Sequence, residues 1–322
     1  MNEKAPRAPT VTEIRTAADS LAPFIAKSPL LSYLPDGRSG GIFLKLENLQ
    51  AIGAFKARPA GSILLGTDAG KMRNGVYTAS SGNAGLGLAW MANELQLAAT
   101  VYAPDNAPAD KLAAIKRLGP ALRILSPAEW WDIILHSGHS ADPGMYVDAV
   151  RDPLALAGNG TIGLEIAEQC PEVDTVLLPF GGGGLTCGVA SALRVLKPGT
   201  RIVVAECETA APLSAALQAG RPVEVETQQS FISGAGAPTI LREMWPLVSD
   251  LVDDTIVVPE KAVASAVRQL FLRSKVVAEG AGALALAAAL SAGDKFGTTV
   301  CVVSGGNIDA SIMAAILREP AD

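Results

Sequence analysis

The chain has 322 residues, 49% hydrophobic and 18% charged, enough for about two domains with sizeable cores. Its net charge of −6 and pI near 5.1, without any Lys/Arg block, argue against nucleic acid or an anionic membrane as partner. Two histidines, His136 and His139, are too few for a triad or a metal centre built on several histidines, and are expected at a solvated loop or helix end. The cysteines Cys170, Cys187, Cys207 and Cys301 show no paired spacing, which predicts reduced thiols and a cytoplasmic setting.

The first twenty residues contain no apolar core, so no secretory signal is expected. The stretch NLQAIGAFKARPA, Asn48 to Ala60, then sets Lys56 between Phe55 and a short Ala-Arg-Pro run. Such an amine is either a solvated strand-end residue or one kept for chemistry. Residues 75–95, GVYTASSGNAGLGLAWMANEL, predict strand, turn and helix, with Leu88, Met91, Ala92 and Leu95 at helical spacing. AATVYAPDNAPADKLAAIKRLG repeats the plan, with Asp105 and Pro108 as helix start signals. DTVLLPFGGGGLTCGVASALRVL and TRIVVAECETAAPLSAALQAG follow in the same pattern. AGALALAAALSAG, Ala281 to Gly293, is well short of the ~20 residues of a membrane span and reads as a buried Ala-rich helix. TTVCVVSGGNIDASIMAAIL closes the series. Strands alternating with helices predict an α/β fold, a largely parallel sheet with helices on both faces.

Ligands of such sheets bind beyond the carboxyl ends of the strands, where the turns SSGNAG, FGGGGL and VSGGN all fall. Gly181, Gly182, Gly183 and Gly184 can turn several N–H groups toward one anion, and the following helix start favours phosphate. The run is no P-loop, since no Gly-Lys-Ser/Thr follows, and the bland reading is a flexible turn. Ser80 or Ser81 alone would read as a helix N-cap, and Ser304 to Asn307 as a turn. Together, an amine, a phosphate cradle and a hydroxyl at the open sheet edge are what a pyridoxal phosphate site requires.

These residues resemble the fold-type II pyridoxal-phosphate enzymes, specifically the serine/threonine dehydratase and serine racemase group, with a tryptophan synthase β-like fold. KSPLLSY resembles the family's Thr-Pro-Leu segment, FLKLENLQAIGAFKARPA its Lys-Leu-Glu-Asn-Leu-Gln…Phe-Lys-x-Arg run, and AGNGTIGLEI its Gly-Gln-Gly-Thr segment. SSGNAG resembles the substrate and cofactor loop, FGGGGL the phosphate loop and SGGN the ring-nitrogen loop. The resemblance implies that Lys56 is the Schiff-base lysine and that Phe55 packs beside the ring. Asn83 would meet the phenolic oxygen, Gly181 to Gly184 and Leu185 the phosphate, and Ser304 the pyridine nitrogen. Ser80, Ser81, Gly82 and Asn83 would hold the substrate. A large domain of residues 1–50 and 148–322, a small domain of 51–147 and a homodimer are implied as well. The implied activity is dehydration and deamination of a β-hydroxy-amino acid to a 2-keto acid and ammonia. The chain ends soon after SGGN, so no regulatory domain of the allosteric deaminases is expected.

Several positions depart from the family pattern. Ala54 stands for the serine of Ser-Phe-Lys, Pro59 for a glycine, Ala84 for a histidine, and Ser233-Gly234 for Asp-Gly. Ser81 sits where racemising relatives carry a second acid/base, which keeps an amino-acid racemase as an alternative. Loss of ammonia from a diamino acid is another, and a non-catalytic phosphate- or nucleotide-binding protein a third. A family metal site would draw on Glu206 and the carbonyl of Ala210, but Pro212 replaces the second acid and Glu208 is the only substitute nearby. Glu279 falls where relatives place an acid near the ring, or serves as a helix N-terminal acid. Cys187 and Cys301 flank the cofactor loops as small buried hydrophobes.

Overall fold

The computed structural model describes residues 6–33, 41–107 and 109–319. One sheet has six strands, β1 (Leu30–Tyr33), β2 (Ile42–Leu46), β7 (Thr175–Pro179), β8 (Arg201–Cys207), β9 (Asp254–Val258) and β10 (Thr299–Val303). Their order is β1-β2-β10-β7-β8-β9, with β1 antiparallel to β2 and the other pairs parallel. The second sheet is parallel throughout, in the order β5-β4-β3-β6, with β3 Val76–Ala79, β4 Ala99–Pro104, β5 Ala121–Leu125 and β6 Met145–Tyr146.

Helices α1 (Val11–Leu21), α2 (Ala57–Gly66), α6 (Pro153–Gln169), α7 (Gly184–Leu196), α8 (Pro212–Ala219) and α9 (Trp245–Leu251) join α10 (Glu260–Gln269), α11 (Gly280–Ala292) and α12 (Ala310–Arg318). Helices α3 (Asn83–Glu94), α4 (Ala109–Arg117) and α5 (Pro127–Leu135) alternate with the strands of the smaller sheet.

The apolar runs are continuous because the central strands are covered on both faces. Along β10, Val300 and Val302 pack into a core with Ile162, Val189 and Leu193 of α6 and α7. Cys301 and Val303, on the alternate face, pack with Leu284 and Leu286 of α11. The Ala-rich α11 is therefore buried from Gly280 to Ala289, as its sequence implied. Among the described residues no helix is long and apolar enough to cross a membrane. All four cysteines are buried and none is in a disulfide, and burial pushes the Cys187 thiol up to about 12.

Behind α2 lies a buried cluster of charges. Arg58 donates through Nε to Glu47 Oε2 at 2.8 Å and through Nη1 to Glu165 Oε1 at 2.7 Å and Thr161 Oγ1 at 2.9 Å. Lys45 pairs with Glu165 and donates to the Ser28 carbonyl at 2.8 Å. These groups satisfy one another, and removing any one would strand a buried charge at a cost of about 3–5 kcal/mol. Through Arg58, two residues beyond Lys56, the cluster anchors the first turn of α2. Pro59 sits in the first turn of α2, where a missing N–H costs little.

Some local expectations change. Asp105 donates its amide to Leu125 O in the turn after β4, while Pro108 lies outside the described residues. His136 follows the α5 end and is exposed, but His139 stacks on the Tyr102 ring at 5.3 Å instead of being solvated.

Candidate active site

The expected turns converge on one cavity of about 270 Å³ between the two sheets. Phe55 and Lys56 enter it from the turn before α2, and Ser80, Ser81, Gly82 and Asn83 from the β3–α3 turn. Gly181 to Leu185 come from the β7–α7 turn, and Ser304 from the end of β10.

Lys56 occupies the position preceding the first α2 residue, and the Phe55 amide donates to Ser304 O at 2.9 Å, tying this turn to β10. Ala54, at the former serine position, is buried and bridges to Gly305. The Lys56 amine lies 4.9 Å from the centre of the Phe55 ring. Burial pushes its pKa down to about 8, with partial opposition from the carboxylate of Asp148. An amine so placed is readily neutral and nucleophilic near pH 8.

The serine turn does not cap its helix by side chain. Gly82 takes the N-cap position of α3 without a side-chain bond, so the plain-cap reading of Ser80 and Ser81 fails. Ser80 Oγ instead accepts from the Gly82 amide at 3.1 Å, closing the turn and presenting Ser81 at the cavity. Asn83 Nδ2 donates to Glu279 Oε1 at 2.6 Å, and Asn83 Oδ1 accepts from Asn307 Nδ2 at 2.8 Å. Glu279 precedes α11 but makes no cap bond there; its carboxyl faces Asn83. Burial pushes that carboxyl up to about 7, against the opposing influence of Lys111 and the Asn83 bond.

The glycine turn has a built shape. Gly183 holds φ +90°, a conformation costly for any side chain, and α7 begins without a side-chain cap. A Cβ at position 182 would lie 2.8 Å from Val150 Cγ1, and one at 184 would lie 3.1 Å from the Ala149 carbonyl oxygen. The first amides of this helix are thus held at the cavity with no internal acceptor from a side chain. An open helix start, a buried amine and the Ser304 hydroxyl fit pyridoxal phosphate.

Lys111, Trp130, Val150 and Thr186 are among the residues bordering the cavity that the sequence did not single out. Lys111 bonds Ser233 Oγ across the cleft. Trp130 Nε1 and Thr186 Oγ1 are buried without a hydrogen-bond partner among the described residues. An adjoining cavity of about 490 Å³ shares Lys111, Ser233 and Glu279 and extends toward Phe231 and Ile308.

Glu206, the weak metal candidate, is engaged by the start of α8. Its Oε1 accepts from the Leu213 amide at 2.8 Å, and its Oε2 from the Ser214 amide at 2.8 Å and hydroxyl at 2.7 Å. The carboxylate caps α8. Glu208 Oε1 accepts from the Glu260 amide at 2.9 Å at the start of α10, so it does not substitute. Ala210 closes a turn on Cys207, and no group of three or more metal-ligating side chains occurs among the described residues.

Comparison with known proteins agrees with this geometry. The chain is 36% identical over 281 residues to an L-threonine ammonia-lyase of Geobacter sulfurreducens, covering 86% of this chain and 70% of that protein. It is 33% identical over 322 residues to a serine racemase of Oryza sativa subsp. indica, covering 94% of this chain and 92% of that protein. The structure of maize serine racemase superposes with a TM-score of 0.88 at 30% identity, over 96% of this chain and 97% of that one. A serine racemase from Dictyostelium discoideum gives 0.84 at 26% identity, over 94% of this chain and 100% of that one. The model of the pyridoxal-phosphate dependent enzymes matches residues 21–305, which span the lysine, the serine turn, the glycine turn and Ser304. With the cradle, the amine and the sheet-edge hydroxyl in one cavity, the chain belongs to the pyridoxal-phosphate dependent enzyme family.

Proposed function

We propose that this enzyme is a lyase that dehydrates a β-hydroxy-amino acid of the serine or threonine type. The observation that carries the reading is the convergence of Lys56, the serine turn, the glycine turn and Ser304 on a single cavity. Pyridoxal phosphate, when bound, supplies an aldehyde that captures amines and a conjugated ring that takes up electron density from the substrate Cα.

The protein's own groups do the rest. Gly181 to Leu185 bind the phosphate through backbone amides at the uncapped α7 start. Ser304 Oγ would meet the ring nitrogen as a neutral hydroxyl and would not hold a proton there as a carboxylate does. Ser80, Ser81 and Gly82 would hold the substrate carboxylate, and Asn83 would orient the ring oxygen. Lys56 Nζ, lowered to about 8, removes the Cα proton. The Cβ–O bond then breaks, the hydroxyl leaves as water with the proton that Lys56 took from Cα, and the released enamine takes up one water to give a 2-keto acid and ammonia. Deprotonation of free Lys56 sets the sign of the pH dependence: cofactor capture accelerates up to about pH 8 and levels above it.

A racemase is the second reading, favoured by Ser81, a hydroxyl that borders the same cavity as Lys56. Incubation with L-serine and L-threonine separates the two. Keto acid and ammonia in equal amounts support dehydration; D-amino acid without keto acid overturns it in favour of racemisation.

The proposal includes a small domain of residues 51–147, which contains all four strands of the smaller sheet, closing on a large domain of 1–50 and 148–322. A homodimer in the cytoplasm completes it, the latter supported by four buried cysteines, none of them in a disulfide.

A further inference from the structure

Thr186 stands two residues into α7, immediately after the glycine turn. It is 0% exposed, borders the cofactor cavity, and its Oγ1 is buried with no hydrogen-bond partner among the described residues. A buried hydroxyl left unpaired is costly, and the interior of a protein rarely tolerates one without a reason. The usual local remedy, donation to a carbonyl one turn back, is not taken here, although Ser191 does take it on the same helix, to Cys187 O at 2.6 Å. The feature coincides with the only stretch of α7 whose amides also lack internal acceptors. A helix start without a cap and an orphaned hydroxyl beside it call for the same thing, an anionic acceptor.

We infer that Thr186 is a side-chain ligand of the cofactor phosphate, donating its hydroxyl proton to a phosphate oxygen alongside the backbone amides of the glycine turn. The inference rests on the cofactor reading above and adds a residue to it. The hydroxyl acts on the phosphate alone, so its contribution separates from that of Lys56, which acts on the aldehyde.

The test uses the full-length protein stripped of cofactor, titrated with pyridoxal phosphate and, separately, with pyridoxal, which lacks the phosphate. Thr186→Val keeps the shape and removes the donor; Thr186→Ser keeps the donor. Thr186→Val is expected to weaken pyridoxal phosphate binding about tenfold and leave pyridoxal within about twofold of wild type. Thr186→Ser is expected to bind both as wild type does. Thermal melting of the stripped proteins checks folding, and the valine variant is expected to melt no lower than wild type, because the unpaired hydroxyl is gone. Equal weakening toward both ligands, or none toward either, overturns the inference while leaving the cofactor reading intact. Failure of wild-type protein to bind pyridoxal phosphate overturns both.

Discussion

Helices α7 and α8 begin at neighbouring strands of one sheet, yet their N-termini are treated in opposite ways. At α8, the buried Glu206 carboxylate accepts from two backbone amides and the Ser214 hydroxyl, so the positive end of the helix is neutralised from within. At α7, glycines replace any such acceptor, Gly183 adopts φ +90°, and no side chain caps the helix. The same strand-turn-helix unit is a structural joint in one case and, in the proposed reading, a phosphate site in the other. What separates them is whether the chain carries its own anion.

The largest effect is expected from giving α7 an anion of its own. Gly183→Asp adds a carboxylate where phosphate belongs and forces a side chain into a left-handed backbone, and should weaken cofactor binding at least about a hundredfold. Fluorescence titration of the stripped protein measures it, and unchanged affinity would show that the phosphate sits elsewhere.

Removing the anion from α8 should act on stability instead. Glu206→Ala leaves buried amides unpaired and is expected to cost about 2 kcal/mol in urea unfolding, with cofactor affinity within about twofold of wild type. A chelator should change neither quantity in the wild type. Lost activity on chelation, restored by a divalent cation, would reinstate a metal role for this corner.

A smaller, pH-dependent effect is expected at Glu279. Burial raises its carboxyl from 4.5 to about 7, so between those values the folded protein holds a proton that the unfolded chain has released. Stability of the stripped protein should therefore fall as pH rises from 4.5 to about 7, and Glu279→Gln should flatten that slope. Parallel slopes in the two proteins would mean that this carboxyl is not the group responsible.

Much of this was legible in the sequence. Runs such as TVLLP and TVCVV have no polar alternation because both faces of their strands are covered, and the unusual turns announced the open sheet edge. The roles of Thr186, Glu206 and Glu279 were less accessible. Thr186 looks like an ordinary residue in an apolar helix until its burial and missing partner are known. A carboxylate after a strand reads alike whether it binds a cation or caps the next helix, and only the 2.8 Å amides decide for Glu206. Glu279 was legible as an N-terminal acid, but its contact with Asn83 joins residues 196 positions apart, which no local pattern encodes. Lys111 lies on an amphipathic helix, and its spacing alone would place it in solvent.

The proposed function depends above all on Lys56 as the reacting amine inside this cradle. The visible spectrum of the purified, cofactor-supplemented protein, compared with Lys56→Ala and followed by addition of L-serine and L-threonine, tests it directly. A visible band from the lysine-bound cofactor is expected in wild type and not in the variant, with keto acid formed by wild type alone. A band that survives Lys56→Ala, or keto acid formed at an unchanged rate by the variant, would contradict it.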